Sequence, residues 1–386
     1  MKYRKTHPWL KFSIDLSRAP VELWIMLGEC KSKCEHIAGV PLRPGTAREL
    51  NEIYLVKGSL ASAAIEGNTL SENEILEHRK EGHAFPPSKE YLQKEVQNII
   101  DACNEMTENV ANHVPSEFCP EQIKKLNRMV LLDLDLDDGI IPGEIRTWNI
   151  VVGRYKGAPP QDCAYLLNEL CQWLNGDLFA SAETELKVIY AIIKALLAHL
   201  YIAWIHPFGD GNGRTARLVE FQVLLNSGIP GPAAHLLSNH YNQTRSEYYR
   251  QLDRASGSGG DVIPFLLYSV RGFLDGLHKQ LDVIREQQWD VTWRNFVHET
   301  FKDKNSAVDV RRRHLVLDLS RIKEPVPISK IGEISVRVGV AYDGKAQKTI
   351  SRDIEYLRNL KLLIKEHGKI RANKSAILSF LPIKAE

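Results

Sequence analysis

A dense group of polar and charged residues lies in one short segment of the chain, between two predicted helices. The segment combines an imidazole, a carboxylate, an amide, two guanidiniums and three glycines: His206, Asp210, Asn212, Arg214, Arg217, Gly209, Gly211 and Gly213. Glycines let a backbone approach a ligand closely, and the start of the following helix presents unpaired N–H groups at a positive dipole end. The segment therefore predicts a binding site for phosphate groups.

The charged side chains of the segment could also take part in a reaction at that phosphate site. Arg214 and Arg217 lie three positions apart in a first helical turn, and each can donate two hydrogen bonds to phosphate oxygens. Asp210 can hold a magnesium ion that bridges the phosphates, since magnesium commonly takes one or two carboxylates and keeps its waters. His206 is the nearest titratable base and can take a proton from an attacking hydroxyl. The alternative is a helix-capping histidine before a tight glycine turn, and the joint occurrence of all these groups argues against it.

The segment resembles the H-x-F-x-D/E-G-N-G-R-x-x-R signature of Fic-domain proteins, and it matches at every defined position. By the order of its elements, the resemblance covers about residues 46–300. It implies a helical core, a β-hairpin flap at residues 150–157 that positions a target side chain, and transfer of AMP from ATP to a hydroxyl of a target protein or of the chain itself. The roles it implies are a general base at His206, a magnesium ligand at Asp210, a phosphate contact at Asn212, and phosphate clamps at Arg214 and Arg217.

A second motif precedes this segment. Ser62 and Glu66 lie in a stretch that resembles the S/T-x-x-x-E-G/N inhibitory motif of Fic proteins, in the class with an N-terminal inhibitory helix. Independently, Glu66 ends a predicted helix, where a carboxylate faces the negative dipole end at a cost of up to ~1 kcal/mol unless a cation compensates. We expect Arg217 to be that cation, which would keep it from the γ-phosphate of ATP. The alternative is a solvated glutamate.

The remaining pattern is mainly helical. Ser71 and Glu74 predict a capping box at the start of a helix, and the glycines and prolines around Ile150 predict a hairpin among helices. The most apolar stretch, residues 188–205, is interrupted by Lys194 and His199, which favours a buried core helix over a membrane span.

The C-terminal part differs in charge. Residues 311–386 hold 17 Lys and Arg against 8 Asp and Glu, a net charge of +9 in a chain whose formal net charge is +2. The pattern predicts three helices and a hairpin, in the order of a winged helix-turn-helix: Arg311–Ile322, Ser329–Val336, Lys345–Leu360, and Leu362–Glu366 with Lys369–Ala372.

The third of these helices resembles the recognition helix of bacterial winged-helix regulators. It would turn Lys348, Ser351 and Arg352 towards DNA. Charge clustering alone does not establish base readout, so a surface that packs against another protein is the alternative. A Walker-like match ending at Lys345 fails, because Ala346 stands where the P-loop needs Ser or Thr.

Tyr241 and Asn242 follow the catalytic helix at positions where Fic proteins often contact the nucleotide, so both are candidate nucleotide contacts. Six cysteines without paired spacing indicate a reducing compartment, and the basic N-terminus lacks the apolar region of a secretory signal. We therefore expect a cytoplasmic protein with no membrane segment. A homodimer is compatible with exposed helical faces and a paired DNA reader.

The expected fold is mainly α: a Fic-type helical bundle with a β-hairpin flap, plus a small C-terminal winged-helix domain. The expected domains are an N-terminal helical region at 1–110, a catalytic core at 111–300 and the winged helix at 311–386. The expected function is a self-restrained protein adenylyltransferase that uses Mg²⁺ and ATP, in which Glu66 could also activate water and reverse the modification. The alternative is a DNA-binding regulator that uses the nucleotide site as a sensor.

Overall fold

The computed structural model describes residues 1–82, 84–114, 118–179 and 186–378. The chain divides into two compact units, unit 1 at residues 1–281 and unit 2 at residues 282–386. Unit 1 includes most of the residues of the two expected N-terminal domains, and unit 2 begins before residue 311.

Unit 1 is a helical bundle. Its helices are α1 (Tyr3–Thr6), α2 (Val21–Gly39), α3 (Pro44–Ile65), α4 (Glu72–Glu81), α5 (Pro87–Ala111), α6 (Pro120–Val130), α7 (Pro160–Leu174), α8 (Lys187–Ile205), α9 (Asn212–Asn226), α10 (Gly231–Ala234), α11 (Leu236–Gln243), α12 (Arg245–Gly257) and α13 (Ile263–Thr300), with a 3₁₀ turn at Leu16–Arg18. Helix α13 contributes residues to both units.

Helix α8 forms the centre of the bundle, as predicted. By length and composition it could cross a membrane, but 78% of its apolar stretch is buried inside the protein. Its two polar interruptions have partners: Lys194 Nζ donates to Asn175 Oδ1 over 3.1 Å, and His199 bonds to Glu220 and Tyr248. Burial therefore leaves neither group unsatisfied.

The end of α3 and the start of α4 follow the sequence signals. Helix α3 stops at Ile65, and Gly67 adopts a positive φ of 112° that side chains rarely tolerate. Ser71 and Glu74 form the predicted capping box at the start of α4. Together these two signals fix the loop that carries Glu66.

The hairpin predicted among the helices is present. Strand β1 (Val151–Val152) pairs antiparallel with β2 (Tyr155–Lys156). Two hydrogen bonds hold β2 against the bundle: the Tyr155 hydroxyl donates to the Trp204 carbonyl over 2.7 Å, and His7 Nε2 bonds to the Lys156 carbonyl over 2.7 Å.

Over residues 301–378, unit 2 adds three helices and one small sheet. The helices are α14 (Ala307–Leu319), α15 (Val336–Tyr342) and α16 (Gln347–Asn359); the strands are β3 (Val326–Pro327), β4 (Leu363–Glu366) and β5 (Lys369–Ala372), in the order β3-β5-β4; 3₁₀ turns lie at Ile328–Glu333 and Lys374–Ile377. The predicted first and third helices and the hairpin are confirmed.

The predicted second helix, Ser329–Val336, is wrong. Residues 328–333 form a 3₁₀ turn, and the α-helix begins only at Val336. The reason is the cap: Ser335 is extended, and its hydroxyl accepts the backbone N–H of Val338 over 3.2 Å. Serine is a preferred N-cap residue, so Ser335 separates the 3₁₀ turn from the helix that starts at Val336.

Buried ion pairs tie the helices of unit 2 together. Asp353 of α16 is 1% exposed and accepts from Arg311 Nη2 and Arg312 Nε of α14, both over 2.7 Å. The Tyr342 hydroxyl of α15 donates to the same carboxylate over 3.2 Å. One carboxylate thus joins three helices.

Close packing of α3 gives a test of this fold. A Cβ at Gly58 would lie 2.5 Å from Nδ1 of the buried His235. We expect Gly58→Ala to destabilise the protein by about 1–3 kcal/mol, because the core must shift to admit a methyl group. Gly28→Ala in α2 is the control: its Cβ meets nothing within 4 Å, so helix propensity should raise stability by about 0.5–1 kcal/mol. Urea unfolding measures both, and equal effects would contradict the packing described.

Candidate functional site

His206 ends α8 in a strained conformation. Its backbone lies in the left-handed region, at φ 51° and ψ 60°, which non-glycine residues seldom adopt. Its N–H still donates to the Ile202 carbonyl over 2.9 Å, so the helix ends at this residue. Such strain persists only where the surroundings hold it in place.

Arg146 provides that support. Its side chain is buried, and Nε donates to the His206 carbonyl over 2.8 Å. Its other nitrogens donate to the carbonyls of Trp148 and Ala158, on either side of the hairpin. Sequence reasoning missed Arg146, because a lone arginine before a loop carries no motif signal.

The imidazole of His206 is set up as a neutral base. Nδ1 lies 3.3 Å from the Ala203 carbonyl, which can only accept, so Nδ1 carries the proton and Nε2 keeps its lone pair. Burial lowers the pKa of His206 to about 4, although Glu66 and Asp210 oppose the shift. The ring is therefore neutral at pH 7, and it remains partly exposed.

The turn after His206 is built by side chains that bond to backbone. The Asn212 side chain accepts from the Phe208 N–H and donates to the Phe208 carbonyl, each over 2.9 Å. Its amide therefore holds the loop together, and the backbone N–H of Asn212 at the start of α9 is the group that suits the expected contact with phosphate.

Asn127 of α6 fixes the same turn from outside. Its Nδ2 donates to the Asp210 carbonyl over 2.9 Å, and its Oδ1 accepts the Gly143 N–H over 2.9 Å. Gly211 then turns the chain into α9 with a φ of 73°. Like Arg146, Asn127 lies far from the motif along the chain, and nothing local marks it.

Two carboxylates hold Arg214, which is 4% exposed. Its Nη1 donates to Glu95 of α5, and its Nη2 donates to Asp210 Oδ2 over 3.1 Å. Its Nε is buried without a hydrogen-bond partner in the described part of the chain. One donor therefore has no partner among these residues, while the carboxylates fix the direction of the guanidinium.

Glu95 also connects Arg214 to the loop that carries Glu66. Its second oxygen accepts from Asn68 Nδ2 over 2.9 Å, and Asn68 Oδ1 accepts the Leu70 N–H over 3.1 Å. Glu95 itself is 5% exposed. Sequence reasoning missed it because its partner lies 119 residues away.

Arg217 is engaged with the end of α3. Its Nε donates to Ser62 Oγ over 2.9 Å, and its Nη2 donates to the Ser62 carbonyl over 2.9 Å and to Glu66 Oε1 over 2.7 Å. The predicted pairing of Glu66 with Arg217 is thereby confirmed. Its Nη1 is buried without a partner among the described residues.

The charges of Glu66 and Arg217 stabilise each other. Burial alone would raise the pKa of Glu66, but the charge and hydrogen bond of Arg217, helped by Arg214 and His206, lower it below its usual value. Gly213 makes the approach possible, because a Cβ there would lie 2.2 Å from Glu66 Oε1. The sequence therefore needs glycine at 213 for the carboxylate to reach the loop.

Two cavities meet at these residues. The first, here called the apolar cavity, measures about 620 Å³ and is bordered by the hairpin and by Trp204, Tyr248, Tyr249 and Leu252. The second, here called the polar cavity, measures about 440 Å³ and includes Tyr91, Glu95, Asp210 and Arg214. Both are lined by Glu66, Val152, His206 and Gly213. Glu66 thus stands where the two join.

The structure corrects the expectation for Tyr241. Its ring is 0% exposed, and its hydroxyl donates to Glu220 over 3.0 Å. It stacks on Tyr248 in the core, 4.8 Å between ring centroids, so no nucleotide can reach it. Asn242 is half-buried and lines neither cavity.

Asp210 has the exposure that a metal ligand needs. Its side chain is 41% exposed, and its Oδ1 accepts the Gly211 N–H. The described residues contain no group of three or more His, Cys, Asp or Glu able to hold a metal ion. One open carboxylate fits magnesium that is bound mainly through substrate phosphates and water.

In unit 2, the three residues expected to face DNA are exposed. Lys348, Ser351 and Arg352 lie on α16, while Ile354 and Leu357 of the same helix are buried. The helix therefore presents the predicted polar face to solvent.

Comparison with known proteins gives this site a context. Residues 117–224 match the model of the Fic/DOC family. The protein adenylyltransferase fic-1 of Caenorhabditis elegans is 30% identical over 210 residues, which cover 54% of this chain and 38% of that protein. The protein adenylyltransferase Fic of Drosophila grimshawi is 34% identical over 167 residues, 43% of this chain and 30% of that protein. The chain spans less than half the length of these curated relatives.

Solved structures agree with this result. Residues 134–508 of C. elegans Fic-1 share 25% identity with a TM-score of 0.55, covering 68% of this chain and 72% of that one. A Fic family protein of Desulfovibrio desulfuricans has the same TM-score at 17% identity, covering 91% and 95%. The second likeness concerns the fold alone.

The role of Glu95 gives a prediction. Glu95→Ala should destabilise the protein by about 3–5 kcal/mol, because it leaves the buried Arg214 with a single carboxylate. Glu105→Ala on the same helix is the matched control, since the Glu105–Lys125 pair is exposed and should contribute about 0–1 kcal/mol. Chemical unfolding decides between them; a Glu95 variant as stable as the Glu105 variant would show that the pair with Arg214 does not hold the site.

Proposed function

We propose that the protein is an adenylyltransferase that moves AMP from Mg-ATP to a Ser, Thr or Tyr hydroxyl of a protein target or of the chain itself. The match of residues 117–224 to the Fic/DOC family model supports this proposal. The observation that carries the proposal is His206. Its Nε2 keeps a lone pair that can accept a proton, the lowered pKa keeps the ring unprotonated at pH 7, and the residue borders both cavities.

The nucleotide would span the two cavities. The apolar cavity offers Tyr248, Tyr249 and Leu252 to a base and ribose. The polar cavity offers Arg214 and the backbone N–H groups at the start of α9 to the phosphates. The α-phosphate would then lie at the junction, beside His206.

In the proposed step, His206 Nε2 takes the proton of the acceptor hydroxyl. The hydroxyl oxygen forms a bond to the α-phosphorus, and the bond from that phosphorus to the oxygen bridging to the β-phosphate breaks. Pyrophosphate leaves, and the acceptor carries AMP. Catalysis of this kind rests on positioning and charge neutralisation.

Magnesium fits this site through Asp210, whose exposed carboxylate lines the polar cavity. The ion would neutralise charge on the phosphates when bound. Within the chain, Arg214 donates to the same carboxylate and so fixes its direction.

Glu66 would restrain the reaction. Its carboxylate lies between the cavities and holds Arg217, the guanidinium expected to bind the γ-phosphate. Bound ATP would then lack this clamp and adopt an unproductive position. The same carboxylate lies near His206 and could orient a water molecule for the reverse reaction, removal of AMP.

This proposal predicts opposite effects of two substitutions. With α-labelled ATP, magnesium and host lysate, Glu66→Gly should increase transfer several-fold by releasing Arg217. His206→Ala in that background should reduce it about 10²–10⁴-fold, the usual contribution of a general base.

A chain that binds ATP equally well but transfers no AMP in either variant would contradict the proposal and favour a nucleotide sensor. Glu105→Ala is the control, because its exposed pair with Lys125 lies outside the two cavities.

We also propose that unit 2 is a winged helix that binds DNA. The observation in favour is the exposed row of Lys348, Ser351 and Arg352 on α16. The β4–β5 hairpin adds the exposed Lys369 and Arg371, which can contact phosphates beside a groove.

Charge reversal on α16 tests the second proposal. Lys348→Glu with Arg352→Glu should weaken DNA binding and reduce the salt slope by about 1 for each phosphate that the helix no longer neutralises. Arg358→Glu makes half of that charge change at the other end of the helix, where Arg358 pairs with Glu355 over 2.8 Å, and should cause much less than half of the loss in binding free energy. A loss half as large in a gel-shift titration would mean that net charge, and not this face, decides binding.

A further inference from the structure

Tyr91 of α5 brings a phenol to the polar cavity. The residue is 45% exposed, and it lines this cavity together with His206 and Asp210. Among the described residues that line the polar cavity, Tyr91 carries the only Ser, Thr or Tyr hydroxyl. An acceptor of the proposed reaction therefore already lies in the cavity that holds the base.

The Tyr91 hydroxyl has no hydrogen-bond partner within the described part of the chain. The tyrosines of the apolar cavity are engaged: Tyr155 donates to the Trp204 carbonyl over 2.7 Å, Tyr248 pairs with His199 over 2.9 Å, and Tyr249 donates to the Ile65 carbonyl over 3.2 Å. Tyr91 can thus give its proton to an entering group without breaking a hydrogen bond that holds the fold.

The surrounding charges fit an acceptor that needs a base. Burial raises the pKa of Tyr91, and the nearby carboxylates of Glu95 and Asp210 add to the shift while Arg214 opposes it. The phenol is therefore protonated at pH 7. Arg214 and Asp210, the groups proposed to hold the phosphates, line the same cavity.

We infer that Tyr91 is a site of self-modification, to which the chain transfers AMP within one molecule. This inference rests on the proposed adenylyltransferase function. His206 Nε2 takes the phenolic proton, and Tyr91 Oη forms a bond to the α-phosphorus of ATP. The bond from that phosphorus to the leaving pyrophosphate breaks. The products are a tyrosine–AMP phosphodiester and pyrophosphate.

The experiment uses the full chain with Glu66→Gly, α-labelled ATP, magnesium and host lysate, followed by peptide mass spectrometry. We expect AMP on the peptide that contains Tyr91, and about a tenfold or greater loss of self-label in Tyr91→Phe. Tyr165→Phe is the control: Tyr165 is partly exposed on α7, in a different cavity bordered by Tyr3 and Trp173. Its self-label should be unchanged.

A mixing arm tests transfer within one molecule. A tagged His206→Ala, Glu66→Gly chain is incubated with an active Glu66→Gly, Tyr91→Phe chain. We expect no label on Tyr91 of the tagged chain. In a separate incubation of the Glu66→Gly chain alone, the rate of self-labelling per molecule should not depend on protein concentration. Label on the tagged Tyr91 would overturn the intramolecular route.

The outcomes separate the two proposals. Labelled lysate proteins without AMP on Tyr91 would overturn this inference and leave the proposed function standing. No label on any protein would overturn the proposed function itself. A third outcome is that Tyr91→Phe loses both self-label and lysate label while the Glu66→Gly chain carries no AMP on Tyr91. That result would mean that Tyr91 contributes to the reaction from inside the polar cavity and is not an acceptor.

Discussion

The ion pair between Glu66 and Arg217 is the interaction on which the arrangement of the site depends. Arg217 is almost fully buried, so its charge needs a carboxylate or a phosphate. In this structure the carboxylate comes from the residue that caps the end of α3, and it reaches Arg217 across the missing side chain of Gly213. A nucleotide that offered its γ-phosphate would compete directly with Glu66 for one cation. In the proposed mechanism, restraint and catalysis thus use the same guanidinium.

His206, the proposed base, is held by residues that are distant along the chain. His206 adopts a left-handed backbone that an unsupported residue would leave, and Arg146 fixes its carbonyl while bridging both sides of the β1–β2 hairpin. Asn127 and Glu95 fix the loop and the first arginine from two further helices. Separate segments of the bundle therefore meet at one loop, which explains how so many buried polar groups can gather there.

The string from His206 to Arg217 and the Glu66–Arg217 pair could be predicted because both leave local signals, a dense motif and a carboxylate at an unfavourable helix end. Arg146 and Glu95 leave none, since their roles come from partners that only the fold brings near. The position of Tyr241 after the catalytic helix predicts a nucleotide contact, but the bundle turns its ring into the core. Periodicity places the second helix of unit 2 too early, because it does not reveal that Ser335 caps a new helix.

The most direct measurement compares ATP and ADP binding by calorimetry in a His206→Ala background, where turnover should be strongly reduced. If Glu66 keeps Arg217 from the γ-phosphate, Glu66→Gly should increase the preference for ATP over ADP by about tenfold or more, as expected for a hydrogen bond to a charged group. Replacing Arg217 with Ala as well should remove that gain. An ATP-to-ADP affinity ratio that stays the same in all three chains would contradict the account.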